Sequence, residues 1–178
     1  AQHNASYGYE ATDAITTGDN NTAMGSAALG ANTTGAGNAA FGRAALKLNV
    51  DTANNTAVGF NALENNIAAN NVAVGYSAGN ANTTGTRNIA IGYQAYDASD
   101  TENDNLAIGY NAMTTNTAGG TRNIAIGNYA ADAHTSGDYN VAIGYGAMGA
   151  NTSGGECVAI GDEALSSLAN ASNGSVAV

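Results

Sequence analysis

Asn88-Ile89-Ala90-Ile91-Gly92-Tyr93-Gln94-Ala95 decides the fold, because near copies of it run the length of the chain. The unit is Asn-x-Ala-(Ile/Val)-Gly-x-x-Ala. Its glycines are Gly8, Gly25, Gly42, Gly59, Gly75, Gly92, Gly109, Gly127, Gly144 and Gly161, spaced by 17, 17, 17, 16, 17, 17, 18, 17 and 17 residues. An alanine follows each of them by three positions, from Ala11 to Ala164. Two positions before them stands alanine in nine cases and Ser6 in the first. A large apolar residue comes immediately before, from Tyr7 and Met24 to Ile143 and Ile160. Disordered low-complexity sequence has no reason to keep such a register.

A period of 17 is shorter than the helical-hairpin repeats, which need more than about thirty residues. Helix is also disfavoured by the glycines and asparagines of every unit. Val-Ala-Val and Ile-Ala-Ile read instead as short strands whose side chains alternate between two faces. Between them, Asn32-Thr33-Thr34-Gly35, Asn82-Thr83-Thr84-Gly85 and Asn151-Thr152-Ser153-Gly154 are turn material, rich in residues that tolerate left-handed backbone. Strand, turn, second short extended stretch and turn make one coil of a parallel β-solenoid. Ten such coils, stacked about 4.8 Å apart, give a rod of roughly 48 Å. The fold class expected is therefore all-β, with residues 1–178 forming a single repetitive domain.

Equivalent positions stack above one another in such a rod. The Ile/Val column is expected to form an apolar seam inside it, and the strict alanine to face outward toward a closely approaching surface. The glycines answer to backbone geometry or proximity that a Cβ would forbid. Asn4, Asn21, Asn38, Asn55, Asn71, Asn88, Asn105, Asn123 and Asn140 are expected to form a ladder of amides, with Cys157 and Ser175 in the same column. Cys157 reads as a small buried substitute there.

Composition limits the core and the partners. Of 178 residues, 39 are Ala, 26 Asn and 24 Gly, with 2 Phe and neither Pro nor Trp. So little large apolar material leaves each coil short of burial to offset the entropy of ordering it. Lateral association of copies through the small-residue face is the expected remedy: a homo-oligomer, most simply a parallel trimer. The formal charge is −10, and Arg43, Lys47, Arg87 and Arg122 are the only cations besides the two histidines. They make no basic footprint for nucleic acid or anionic lipid. No apolar run approaches the roughly 20 residues of a membrane helix, so no membrane insertion is expected. A lone cysteine forms no internal disulfide and no metal cluster.

At Asn55-Thr56-Ala57-Val58-Gly59-Phe60-Asn61-Ala62-Leu63, at the Asn-Thr-Thr-Gly turns and at Asn71-Val72-Ala73-Val74-Gly75-Tyr76, the chain resembles repeats of bacteriophage tail fibres. It is also similar to the Asn-Ser-Val-Ala-Ile-Gly head repeats of trimeric autotransporter adhesins, whose unit is shorter. The resemblance covers essentially the whole chain, and the tail-fibre version matches both length and turn. It implies a left-handed β-roll, trimeric and extracellular, on a virion or a cell surface, holding or contacting a receptor on another cell. A host-surface glycan or protein is the receptor implied.

No catalytic residue, metal ligand or cofactor is expected. His3 and His134 read as terminal and turn residues at the surface, with no nucleophile and acid in register. Asp97-Ala98-Ser99-Asp100-Thr101-Glu102-Asn103-Asp104 reads as a solvated acidic turn, with Ca2+ ligation as the alternative. Tyr9, Tyr76, Tyr93, Tyr110 and Tyr145 form an aromatic stripe, for packing or for stacking on sugars. Asn-x-Ser/Thr acceptors stand at Asn4, Asn20, Asn32, Asn54, Asn82, Asn151, Asn170 and Asn173. Two further functions stay open: if residues 1–178 are a whole mature chain, subunits stack end to end into a filament, or a flat face binds ice. The irregular column Thr22, Ala39, Thr56 and Val72 weighs against ice.

Overall fold

The computed structural model describes residues 3–116, 119–167 and 173–178. Asn170 lies outside them. Eleven short strands, β1 (Ala5–Tyr7), β2 (Thr22–Met24), β3 (Ala39–Phe41), β4 (Thr56–Val58), β5 (Val72–Val74), β6 (Ile89–Ile91), β7 (Leu106–Ile108), β8 (Ile124–Ile126), β9 (Val141–Ile143), β10 (Val158–Ile160) and β11 (Val176–Ala177), pair in chain order as one parallel sheet. The chain is a β-solenoid with one strand per coil, and there is no helix among the described residues. The expected second extended stretch is absent there too. A series of turns closes each coil instead.

Register follows the repeat, not the residue count. Ala57 pairs with Ala73 across the 16-residue step, and Ala107 with Ala125 across the 18-residue step. The turns absorb the difference.

The orientation of the strands reverses the expectation. Asn and Ala, at positions four and two before the repeat glycine, face inward. Ala23, Ala40, Ala57 and Ala107 are fully buried. The large residue just before the glycine faces out, with Val58 38% and Ile91 36% exposed. Physically, a 17-residue coil encloses too little space for two opposed rows of Ile. Its inner volume holds two alanines, one larger side chain, two amides and a turn residue that is most often glycine. The demand for alanine comes from the opposite wall of the same coil.

The asparagine column is the ladder the sequence suggests, but it bonds to backbone. The Asn38 N–H donates to Asn21 Oδ1 at 2.9 Å, and Asn21 Nδ2 donates to the Gly35 carbonyl at 2.8 Å. The N–H to Oδ1 link recurs without a break from Asn4 to Cys157, at 2.7–2.9 Å. Cys157 ends the run, fully buried, its N–H on Asn140 Oδ1. A second buried amide column, Asn32, Asn49, Asn66, Asn82, Asn116 and Asn151, lines the turn opposite.

Two or three positions per coil hold non-glycine residues in left-handed backbone, as at Ala44 (φ 57), Leu46 (φ 51) and Asn54 (φ 61), with Gly37, Gly79 and Gly146 taking such positions elsewhere. Each non-glycine case costs roughly 1–2 kcal/mol. The reversals let the turns bond both ways along the rod: the Ala44 N–H reaches back to the Ser26 carbonyl, and the Leu46 N–H reaches forward to that of Ala62. Gly59 is stricter. Its φ is 140, and a Cβ there would stand 2.6 Å from the carbonyl carbon of Gly75, so no side chain fits.

Asn71→Leu keeps the volume of a ladder residue and removes its bonds to the Asn88 N–H and the Gly85 carbonyl. The Gly85 carbonyl keeps its bond from Asn82 Nδ2, so one stranded backbone group, the Asn88 N–H, predicts a loss of about 1–3 kcal/mol, measured as a fall in the denaturation midpoint.

Candidate functional site

With amides and alanines inside, functional surface has to be sought on the outward columns. The outer face of the sheet carries two residues per strand. From β5 to β10 all of these are Val, Ile or Leu, and from β2 to β10 none is charged. The result is a flat aliphatic strip along one side of a chain of net charge −10.

Beside it runs the aromatic stripe. Phe60, Tyr76, Tyr93 and Tyr110 stack with centroids 5.3, 5.1 and 5.1 Å apart and planes within 9° of parallel. Tyr129 and Tyr145 continue the row edge-to-face. Sequence reading missed Phe60, for its chemistry, and Tyr129, which sits two places after its glycine while Asn128 takes the usual site. Sugar stacking needs an open ring face, and within the parallel stack from Phe60 to Tyr110 the inner faces lie against the next ring.

The cations share one geometry. Arg43 lies over the Phe60 ring at 5.1 Å and Arg122 over the Tyr139 ring at 5.3 Å. Lys47 pairs with Glu64 at 3.7 Å, and Arg87 grips Asp104 with two hydrogen bonds. All four reach the residue 17 positions later, so the basic side chains tie coil to coil.

The acidic segment Asp97–Asp104 disperses. Asp104 turns to Arg87, whose hydrogen bond and charge hold its carboxyl below the usual range. Asp97 accepts from the Gln94 amide. Glu102 is 2% exposed, contrary to a fully solvated turn. Its carboxylate accepts from the N–H groups of Asp100, Thr101 and Gly119, in a column where neighbouring coils carry Gly85 and Gly120. Among the described residues no three acidic, His or Cys side chains gather as a metal site.

His134 corrects a second expectation: it is fully buried, while His3 is exposed. The reason is the inward face of the turn, where His134 occupies the second amide column. Its Nε2 lies 2.7 Å from the Gly137 carbonyl, replacing the bond that Asn116 Nδ2 gives to Gly120. Two coils exchange bulk between neighbouring interior positions, whereas Gly79 stands beside an ordinary Asn82 without such an exchange. The interior position held by Leu29 or Leu46 is Ala131 beside His134, and it is Tyr96 where the amide column shrinks to Ser99. Tyr96 restores the polar link, donating to the Glu102 carbonyl and accepting from Asn105 Nδ2.

Asn32, Asn82 and Asn151 are fully buried, which removes three of the glycosylation acceptors from the surface. Two shallow open hollows, about 270 and 210 Å3, are lined by Ser136, Asp138, Tyr139 and Glu156, and by Glu10, Asp13 and Lys47, with no histidine in either lining. No described helix is long and apolar enough to cross a membrane. Compared with protein-family models, curated proteins and solved structures, the chain matches none.

Two outcomes follow from these packings. His134→Asn leaves a cavity beside Ala131 and lowers stability by about 1–3 kcal/mol, whereas Ala131→Leu/His134→Asn restores an ordinary coil. A double-mutant cycle in thermal unfolding reads the coupling. Separately, burial raises the Asp97 carboxyl above the ordinary range, an effect only partly offset by Gln94. A raised folded pKa gives stability that is present below the unfolded value and lost as pH rises through the folded one. Asp97→Asn therefore has the higher Tm at pH 7, converging on the native protein below about pH 3 where both side chains are neutral.

Proposed function

We propose that the chain is a non-enzymatic structural and receptor-binding fibre module, giving rigid, multivalent attachment to a host cell surface as in a phage tail fibre or a bacterial surface adhesin. It works outside the cell as a homo-oligomer, most simply a parallel trimer. The observation that carries this reading is the distribution of chemistry across the wall of the rod. Hydrogen-bonding groups are spent inside on holding coil to coil, and large aliphatic side chains are set outside in one continuous strip. A sequence selected for catalysis in a cleft or for standing alone in water would do the reverse.

The unbroken asparagine ladder makes the module stiff, since bending the rod strains its links along one side. Identical chains bundled side by side repeat every surface feature around the axis. Several weak contacts then act together, and avidity exceeds single-site affinity. The receptor belongs to the class the repeats imply, a glycan or protein on the host surface.

Light scattering after gel filtration tests the assembly. A mass of three chains at micromolar concentration in an elongated particle is expected. A monomer with intact β-structure by circular dichroism overturns it. Ile91→Asp places a charge in the strip and is expected to shift the mass to that of one chain.

A further inference from the structure

The outward strip carries more information than its hydrophobicity, because its side chains are not uniform along the rod. We propose that copies of this chain join through the aliphatic face of β2–β10 in parallel and in register. The outward residue just before the repeat glycine of one chain then packs against the outward residue two places earlier in the same coil of its neighbour. This rests on the oligomer proposed above and adds its contact surface and alignment.

Area favours a second copy as the occupant. Strands of three residues at about 3.3 Å and nine coils at about 4.8 Å give a strip of roughly 430 Å2 in plan. That is comparable to the largest apolar patch of a typical monomer, about 300–600 Å2 and often functional, and two such strips face to face bury about 860 Å2, at the small end of specific interfaces. Charge agrees: a chain of −10 repels its copies except across a face without charged groups, and from β2 to β10 this face has none.

Alignment follows from symmetry and size. About any rotation axis parallel to the rods, the two outward columns exchange sides, so each column of one chain meets the other column of its neighbour at the same height. The chain is graded to suit. β3 pairs the smallest outward residue of the strip, Ala39, with the bulkiest, Phe41. In register, the ring of Phe41 enters the space above the neighbour's Ala39. An antiparallel arrangement sets that ring against the Val and Ile of the far strands, with Thr22 and Thr56 facing aliphatic side chains. Slippage by one coil puts Phe41 against Thr22 or Thr56 and Ala39 against Met24 or Val58, so the bulkiest residue no longer faces the smallest. Every coil above β4 offers two aliphatics of similar bulk, so β3 is where the register is set.

Paired cysteines test this. Chains carrying Ala39→Cys and chains carrying Phe41→Cys, one of them with a size tag, are mixed unfolded and refolded together. They are then treated with a short bismaleimide, whose reach suits the ~10 Å spacing of packed sheets. Native Cys157 is fully buried and stays out of the reaction. The expected product is the mixed 39–41 pair, formed at least about tenfold over the 39–39 and 41–41 pairs, which parallel packing holds apart. An oligomer of unchanged mass without that product overturns the face and the alignment while leaving the assembly itself intact. A monomeric mass, with β-structure retained, overturns both.

Discussion

Each ladder asparagine takes the backbone N–H of the next coil on its side-chain oxygen and gives its own amide hydrogens to a turn carbonyl further on. Those two bonds fix where the strand begins, how far the next coil rises and where the following turn lies. Other features adapt to them. Buried backbone groups must be paired, and a coil of 17 residues with only three in a strand has many turn groups to pair. The amides reach those groups. Alanine is buried because it shares the inward face of the strand with asparagine, and the wide residues are outside because the amides and the opposite wall have taken the room.

The turns show what this arrangement costs. Left-handed backbone at Ala44, Leu46 and Asn54 is unfavourable for residues with a Cβ, yet the pattern recurs in coil after coil. It persists because reversing the chain direction alternates the N–H groups between the coil before and the coil after. A conformation poor for one residue becomes favourable when neighbours repeat it, since each reversed N–H then finds a carbonyl in place. Cooperativity of this kind runs between nearest neighbours along the rod.

The repeat itself, the strands, the glycines and the amide column are legible in the sequence because each is a strict periodic demand. What failed was phase. Alternation along Asn-x-Ala-Ile-Gly predicts the strand but not its phase: hydrophobicity alone sends Ile inward, whereas the asparagine in phase with alanine determines the inner face. His134 differs from the expectation for a related reason: turn composition suggests exposure, yet a solenoid turn has a concave side lining the interior. The second amide column was hidden in the Asn-Thr-Thr-Gly turns, where its asparagines pass for ordinary turn formers. The exchange of bulk between Ala131 and His134, or Tyr96 and Ser99, needs the coil closed before the two positions are seen as neighbours. The outward strip was legible as a column of residues, and its side of the wall was not.

The steps of 16 and 18 residues between glycines leave strand pairing undisturbed. Insertions and deletions are thus confined to the bends, and the pitch of the rod is insulated from them. A lineage carrying this architecture can drift in loop length, or gain and lose whole windings, while its reach changes only in increments of a single winding.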